Sequence, residues 1–194
     1  MSSHKSYFND ALRQLKSAGF STPFGDCRRL LKYSMDHDSI FNSDASLVDK
    51  HIRKIFKFSI RRRLSDEPIS HIVGFRDFWK SKFMVNQGVL DPRPETELIV
   101  EKVIASALSG ASILELGTGT GCIATSIALE RPDLKICASE ISLEALNVAK
   151  KTIIAVATTS MITPMLYLLL HTRHQSKQMF DSTSCCLLVH TLKA

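Results

Sequence analysis

The segment ILELGTGTGCIA, residues 113–124, constrains this chain more than any other stretch. An apolar run stops at a charge and breaks into three glycines spaced two apart, Gly117, Gly119 and Gly121. Before it, SILEL reads as a short buried strand; after it, CIATSIALE reads as a helix that Pro132 stops. KICASE then reads as a second strand, and SLEALNVAKK as a second helix with Ser142 as its N-cap and Lys150 and Lys151 near its end. Strand, glycine turn, helix, strand, helix is the opening of a doubly wound α/β domain, whose ligand crevice lies at the carboxyl ends of the strands.

Which ligand such a loop takes follows from spacing and charge. A triphosphate loop needs a lysine that is missing here, since Cys122 stands five positions after Gly117 and no lysine follows it. The dinucleotide fingerprint matches at Gly117 and Gly119, but its third position is Cys122, and Gly121 comes one residue early. Glu115, two residues before Gly117, is expected at the lip of the loop, where it would repel a pyrophosphate and favour a cation. Glu140 lies 19 residues after Gly121, the separation at which such folds use a carboxylate to accept hydrogen bonds from ribose hydroxyls. A ligand with a ribose, a cationic end and no phosphates is S-adenosylmethionine. The plainer alternative is a glycine turn beside a surface glutamate.

Upstream of this region the period is helical. Phe8, Ala11, Leu12 and Leu15 mark a first helix stopped by Gly19. Thr22 and Pro23 start a second, with Cys27, Leu30, Leu31 and Ser34 on one face. A third begins near Asp44 or Ser46, carries Val48, Ile52, Ile55, Phe56 and Ile60, and is limited by Pro68. Its end, Arg61 to Arg63, fits either a solvated last turn or a surface for an RNA or acidic protein. From Ile69 the residues turn β-branched and aromatic: HIVGFRDFW and KFMVNQGVL predict a hairpin. Phe78 and Trp79 there are read as packing residues rather than as a platform for stacking bases. The next stretch, VLDPRPETELIVEKVIASALSG, predicts a helix opened by Pro94, faced by Val100, Val103, Ile104, Ala107 and Leu108, and closed by Gly110. Helix-start chemistry accounts for Arg93 and Glu95 without a catalytic role.

Charge divides along the same lines. Residues 1–90 hold 16 basic and 9 acidic side chains, and residues 91–151 hold 6 and 9, which suggests two modules. The five cysteines, Cys27, Cys122, Cys137, Cys185 and Cys186, include no C-x-x-C pair, so neither a disulfide framework nor a metal site is expected. No apolar leader stands at the N-terminus, and a cytoplasmic location is expected.

GFRDFW, VLDPRPETELIVE, ILELGTGTGCIA and ASEISLEALNVAKK occur here in the order and at the spacings of the release factor glutamine methyltransferases, which this chain resembles over roughly residues 5 to 151. The resemblance implies methylation, from S-adenosylmethionine, of the glutamine amide in the Gly-Gly-Gln motif of peptide chain release factors. It implies a three-helix substrate-recognition domain (1–67), a β-hairpin linker (68–91) and a partial, Rossmann-like class I methyltransferase domain (92–151). The cofactor would be held by Gly117, Thr118, Gly119, Thr120 and Gly121 along the methionine and ribose and by Glu140 on the ribose, with Glu115 nearby. Release factors are the implied partners; a monomer is expected, with no direct nucleic-acid or membrane partner. Two departures are small: Asp91 stands where the family usually has an apolar residue, and Glu140 where it usually has Asp.

A third departure is larger. The family's Asn-Pro-Pro-Tyr signature holds and aims the acceptor amide, whose delocalised lone pair makes it a poor nucleophile. No Pro-Pro occurs among the six prolines Pro23, Pro68, Pro92, Pro94, Pro132 and Pro164, so no catalytic residue is assigned. Residues 152–194 contain one acid and no glycine, and the likeness breaks off near Lys151; this predicts an out-of-frame tail foreign to the fold, with no function for Cys185, Cys186, His171, His174 or His190. The uncharged run 152–170 is a weak membrane candidate because of its threonines and Pro164. No strand is expected in this tail, so the central strand would lack a neighbour on one side and the chain would be of low stability.

Overall fold

The computed structural model describes residues 3–38, 45–160, 166–170 and 186–190. The chain divides into two compact units, Met1–Val73 and Gly74–Ala194.

The described residues of the first unit form four helices: α1 (Ser3–Ser17), α2 (Pro23–Asp38), α3 (Ala45–Leu64) and the short α4 (Ile69–Val73). Its core joins Tyr7, Ala11 and Leu15 of α1 to Cys27 and Leu30 of α2, Phe56 and Ile60 of α3, and Ile72 of α4. These are the apolar stripes expected from the 3.6-residue period, with Tyr7 replacing Phe8 at the centre. Helix α4 was not expected; Ile69 onward read as strand. The Pro68 carbonyl accepts from the His71 and Ile72 amides, Gly74 ends the turn at φ +86°, and Ile72 is buried among the helices. Local capping and burial override the β propensity of Ile69, Ile72 and Val73.

The arginine run at the end of α3 is divided between solvent and structure. Arg62 pairs with Glu67 and donates to the carbonyls of His71 (3.3 Å) and Ile72 (3.4 Å). Arg63 donates to Asp26 on α2 (2.8 Å) and to the Glu67 carbonyl (3.2 Å), and lies 4.2 Å above the Phe20 ring. Arg61 is exposed. Two of the three arginines therefore fasten α4 and the α3–α4 turn to the bundle, a use that needs no external partner.

The second unit opens with the antiparallel hairpin β1 (Phe75–Phe78) and β2 (Ser81–Met84). Its two-residue turn sets Trp79 at φ +53°, a left-handed conformation that disfavours a side chain by about 1–2 kcal/mol. Two hydrogen bonds hold it there: the Trp79 amide donates to Glu97 (2.8 Å) and the indole to Glu130 (2.9 Å). Phe78 and Phe83 meet edge to face at 5.9 Å and belong to the same core as Val100, Ile113, Ile123, Ile127, Leu134 and Ile136. The hairpin thus packs within the second unit, and Phe78 and Trp79 serve packing as expected.

A 3-10 turn (Pro94–Thr96) leads into α5 (Glu97–Ser106), followed by β3 (Ser112–Leu116), α6 (Cys122–Glu130), β4 (Lys135–Glu140) and α7 (Leu143–Ser160). The bounds of β3, α6 and β4 coincide with SILEL, CIATSIALE and KICASE. Helix α5 stops short of Gly110, leaving Leu108 77% exposed rather than on the apolar face. Ser142 caps α7 as expected, its hydroxyl accepting from the Ala145 amide at 3.3 Å. Lys150 and Lys151 fall in the middle of that helix, which runs nine residues beyond Lys151 to Ser160.

Beyond α7 come β5 (Leu166–Leu170) and β6 (Cys186–His190), where the sequence reading placed no strand. The sheet order is β5-β4-β3-β6, with all neighbours parallel. Central β3 is flanked on both sides, so the missing neighbour is supplied from the tail. The run LYLLL carries no alternation, so no period marks it as a strand; it enters the sheet as the parallel partner of β4. The second unit is built on a partial Rossmann-like α/β sheet, and the first is helical. Of the tail residues without expected function, His171, His174 and Cys185 lie outside the described residues. No helix among the described residues is long and apolar enough to cross a membrane.

Candidate functional site

The carboxyl ends of β3 and β4 point the same way, and the glycine loop runs between them. Leu116 pairs with Ser139 at the last step of the ladder, and the Ser139 carbonyl then accepts from the amides of Gly117 (2.9 Å) and Thr118 (3.0 Å). The loop folds back through a bond from the Gly121 amide to the Thr118 carbonyl (2.9 Å). Gly119 (φ +58°) and Gly121 (φ +80°) hold conformations that cost a side-chain-bearing residue strain. Gly121 is also the N-cap of α6, and a Cβ there would come within 3.4 Å of the Ala149 side chain on α7.

Glu140 closes the loop from the β4 side. One carboxylate oxygen accepts from the Gly119 amide (2.9 Å); the other accepts from the amides of Ile141 (2.9 Å) and Ser142 (3.0 Å). The side chain is buried yet faces the cleft.

That cleft has a volume of about 330 Å³, within the range of small-molecule sites. Its walls are the loop Gly88–Arg93 with Thr96, the glycine loop Gly117–Thr120, Cys122 and Ile123 of α6, and Glu140, Ile141 and Ala145. Gly117, Thr118, Gly119, Thr120 and Glu140 thus come together as expected. Gly121 does not line the cleft; it turns the chain into α6 behind it.

Glu115 is a correction. Far from the lip, it is buried at 1% exposure beneath the loop and is not among the lining residues. One oxygen accepts from the Thr118 hydroxyl (2.6 Å) and the Ala124 amide (3.2 Å), while Oε1 accepts no hydrogen bond. Burial pushes its pKa up to about 7, against the pull of those two hydrogen bonds, and the Glu140 charge adds to the rise. Glu115 ties the loop to the first turn of α6; it does not present a full negative charge to a ligand at neutral pH. A strand residue whose side chain points below the turn looks, in one dimension, the same as one pointing above it.

The wall at Gly88–Arg93 was missed by sequence reasoning. Val89 packs with Val85 of the loop and Ala145 and Val148 of α7, which carries the segment over to the strand ends. Asp91 lies 3.8 Å from Arg76. Ile141, 65% exposed, lies on the rim immediately after Glu140 and was likewise missed. The signal for Ile141 was adjacency to Glu140; for the loop it was the VLDPRPETELIVE motif, which gave no position in space because its partners lie some 50 residues away. Cys122 is buried at the start of α6, and burial pushes its thiol up to about 12, leaving it neutral and unreactive.

A family model, Methyltransferase small domain, matches residues 82–167, continuing past Lys151, where the sequence reading ends the likeness. Three curated relatives are named release factor glutamine methyltransferase. That of Neisseria gonorrhoeae is 39% identical over 128 residues, covering 65% of this chain and 47% of the relative. That of Cereibacter sphaeroides is 37% identical over 159 residues (78% and 56%), and that of Koribacter versatilis 35% over 150 (75% and 54%). The chain spans about half the length of these relatives. The α/β elements, the cleft at the strand ends and these matches agree: the chain carries a methyltransferase domain and is similar in sequence to release factor glutamine methyltransferases.

Proposed function

We propose that this chain binds S-adenosylmethionine in the cleft at the ends of β3 and β4 and serves methylation of the glutamine amide in the Gly-Gly-Gln motif of peptide chain release factors. The observation that carries the reading is the Glu140 carboxylate, locked by three backbone amides at the mouth of a glycine loop. A carboxylate has about four acceptor sites, so one stays open to a ribose hydroxyl. The backbone of Thr118 and Gly119 allows close approach, and the apolar side chain of Ile141 offers a flat contact for a base. A phosphate finds little there, because among the described lining residues Glu140 and Asp91 stand against one cation, Arg93. When bound, the cofactor supplies an electrophilic methyl group on a sulfonium. The protein groups bind and orient it and exclude water from one side.

Methyl incorporation into a purified release factor tests the whole reading; none with this chain, under conditions where a relative is active, rejects turnover. A second reading, cofactor binding without turnover, is favoured by one observation: the 194 residues contain no Asn-Pro-Pro-Tyr with which to aim an amide. Titration calorimetry with S-adenosylmethionine separates the two, since heat without methyl transfer supports the second.

A further inference from the structure

Two carboxylates line the cleft, and their states differ. Both oxygens of Glu140 accept backbone amides. Asp91 has no such support: Oδ1 is shut off from solvent and accepts no hydrogen bond, and Oδ2 has Arg76 Nη1 at 3.8 Å, too long for one. Its side chain is 19% exposed and stands on the cleft wall, in a loop anchored to α7 through Val89. An acceptor left short of donors in a partly desolvated site disfavours the folded state unless a ligand supplies the donor. Arg93, the other charged side chain of that wall, is exposed and does not pair with it.

Resting on the cofactor reading above, we infer that Asp91 binds the α-ammonium group of S-adenosylmethionine. The chemistry selects this group among those the cofactor offers. A sulfonium has no hydrogen to donate, and the ribose hydroxyls go to Glu140. The ammonium offers three N–H donors and a full charge, and charge-assisted hydrogen bonds to a carboxylate are about twice as strong as neutral ones. Binding requires the Asp91 side chain to turn, since Oδ1 is closed to solvent as it stands; one oxygen then meets the ligand while the other stays near Arg76. The residue would then distinguish the complete cofactor from adenosyl compounds that lack the amino group.

The test is calorimetric, on the full chain, with S-adenosylhomocysteine and with its analogue lacking only the α-amino group. The wild-type chain is expected to prefer the former by about tenfold or more. Asp91→Asn is expected to abolish that preference, losing about tenfold for S-adenosylhomocysteine and nothing for the deamino analogue. Arg76→Met removes the competing cation and is expected to hold or raise the affinity for S-adenosylhomocysteine. If Asp91→Asn weakens both ligands equally, or neither, or if Arg76→Met weakens binding as Asp91→Asn does, Asp91 is a structural partner of Arg76 and the inference is overturned. A wild-type chain that binds neither ligand overturns the cofactor reading itself, a different result from binding that ignores Asp91.

Discussion

Three acidic side chains, Asp26 in the helical unit and Glu115 and Asp91 in the α/β unit, are satisfied to different degrees. In the helical unit Asp26 is 6% exposed and has both oxygens engaged, one by the Thr22 hydroxyl at 3.0 Å and the other by Arg63 at 2.8 Å. In the α/β unit Glu115 and Asp91 each keep an oxygen that is buried and accepts no hydrogen bond. Orphaned buried acceptors cost free energy, so these two oxygens, one on the cleft wall and one beneath the glycine loop, lower stability there. Asp26 completes the bundle through Thr22 and Arg63, whereas Asp91 and Glu115 stay incomplete at and beneath the place where a ligand would sit.

Substitutions sharpen that contrast, beginning with the largest effect. Phe83 is fully buried in the core shared by the hairpin and the sheet, so Phe83→Ala should cost about 3–5 kcal/mol in chemical unfolding followed through Trp79 fluorescence. A loss under 1 kcal/mol would mean that the hairpin is an independent linker after all. Glu140→Ala releases three amides at once and should lower S-adenosylhomocysteine affinity about a hundredfold by calorimetry, matching about 2.7 kcal/mol. Unchanged affinity would remove the carboxylate from the proposed site. Arg63→Met leaves Asp26 without its cation and should destabilise the chain by about 1–3 kcal/mol in urea, with cofactor affinity unaltered.

The Glu115 expectation concerns slope. Its folded pKa, about 7, lies above the unfolded value near 4.5, so the folded state binds the extra proton between them. The stability this contributes is present in full below pH 4.5 and is lost as pH rises through about 7. Thermal melts of Glu115→Gln across pH 4.5–8 should lose that decline relative to the wild-type chain; parallel curves would show that the carboxyl is not protonated in the fold. Smallest of all, Lys80→Met breaks an ion pair to Glu130 whose lysine is 70% exposed, and its effect on melting should fall within about 1 kcal/mol.

Several elements were legible in one dimension because their signals are local. β3, α6 and β4 were readable to the residue from a buried apolar run, a glycine turn and the stop at Pro132, and the stripes of α1, α2 and α3 followed from the 3.6-residue period. The failures share a cause. α4 looked like strand until Pro68, Gly74 and the burial of Ile72 are taken together; β5 and β6 carry no pattern of their own and exist as partners of β4 and β3. The arginine run, ambiguous by itself, was resolved only when Asp26 and Glu67 came into reach of it.

The candidate site divides the same way. The sequence by itself determined the loop, its glycine turn and the acid 19 residues on, because turn chemistry and the strand-helix-strand repeat are set by neighbours in the chain. Only the tertiary structure decided which carboxylates meet a ligand. Burial turns Glu115 inward and raises its pKa, while packing of Val89 on α7 carries Asp91 to the cleft from a loop that sequence assigned to a linker. Solvation and side-chain direction depend on what lies across the fold, and no local pattern encodes them.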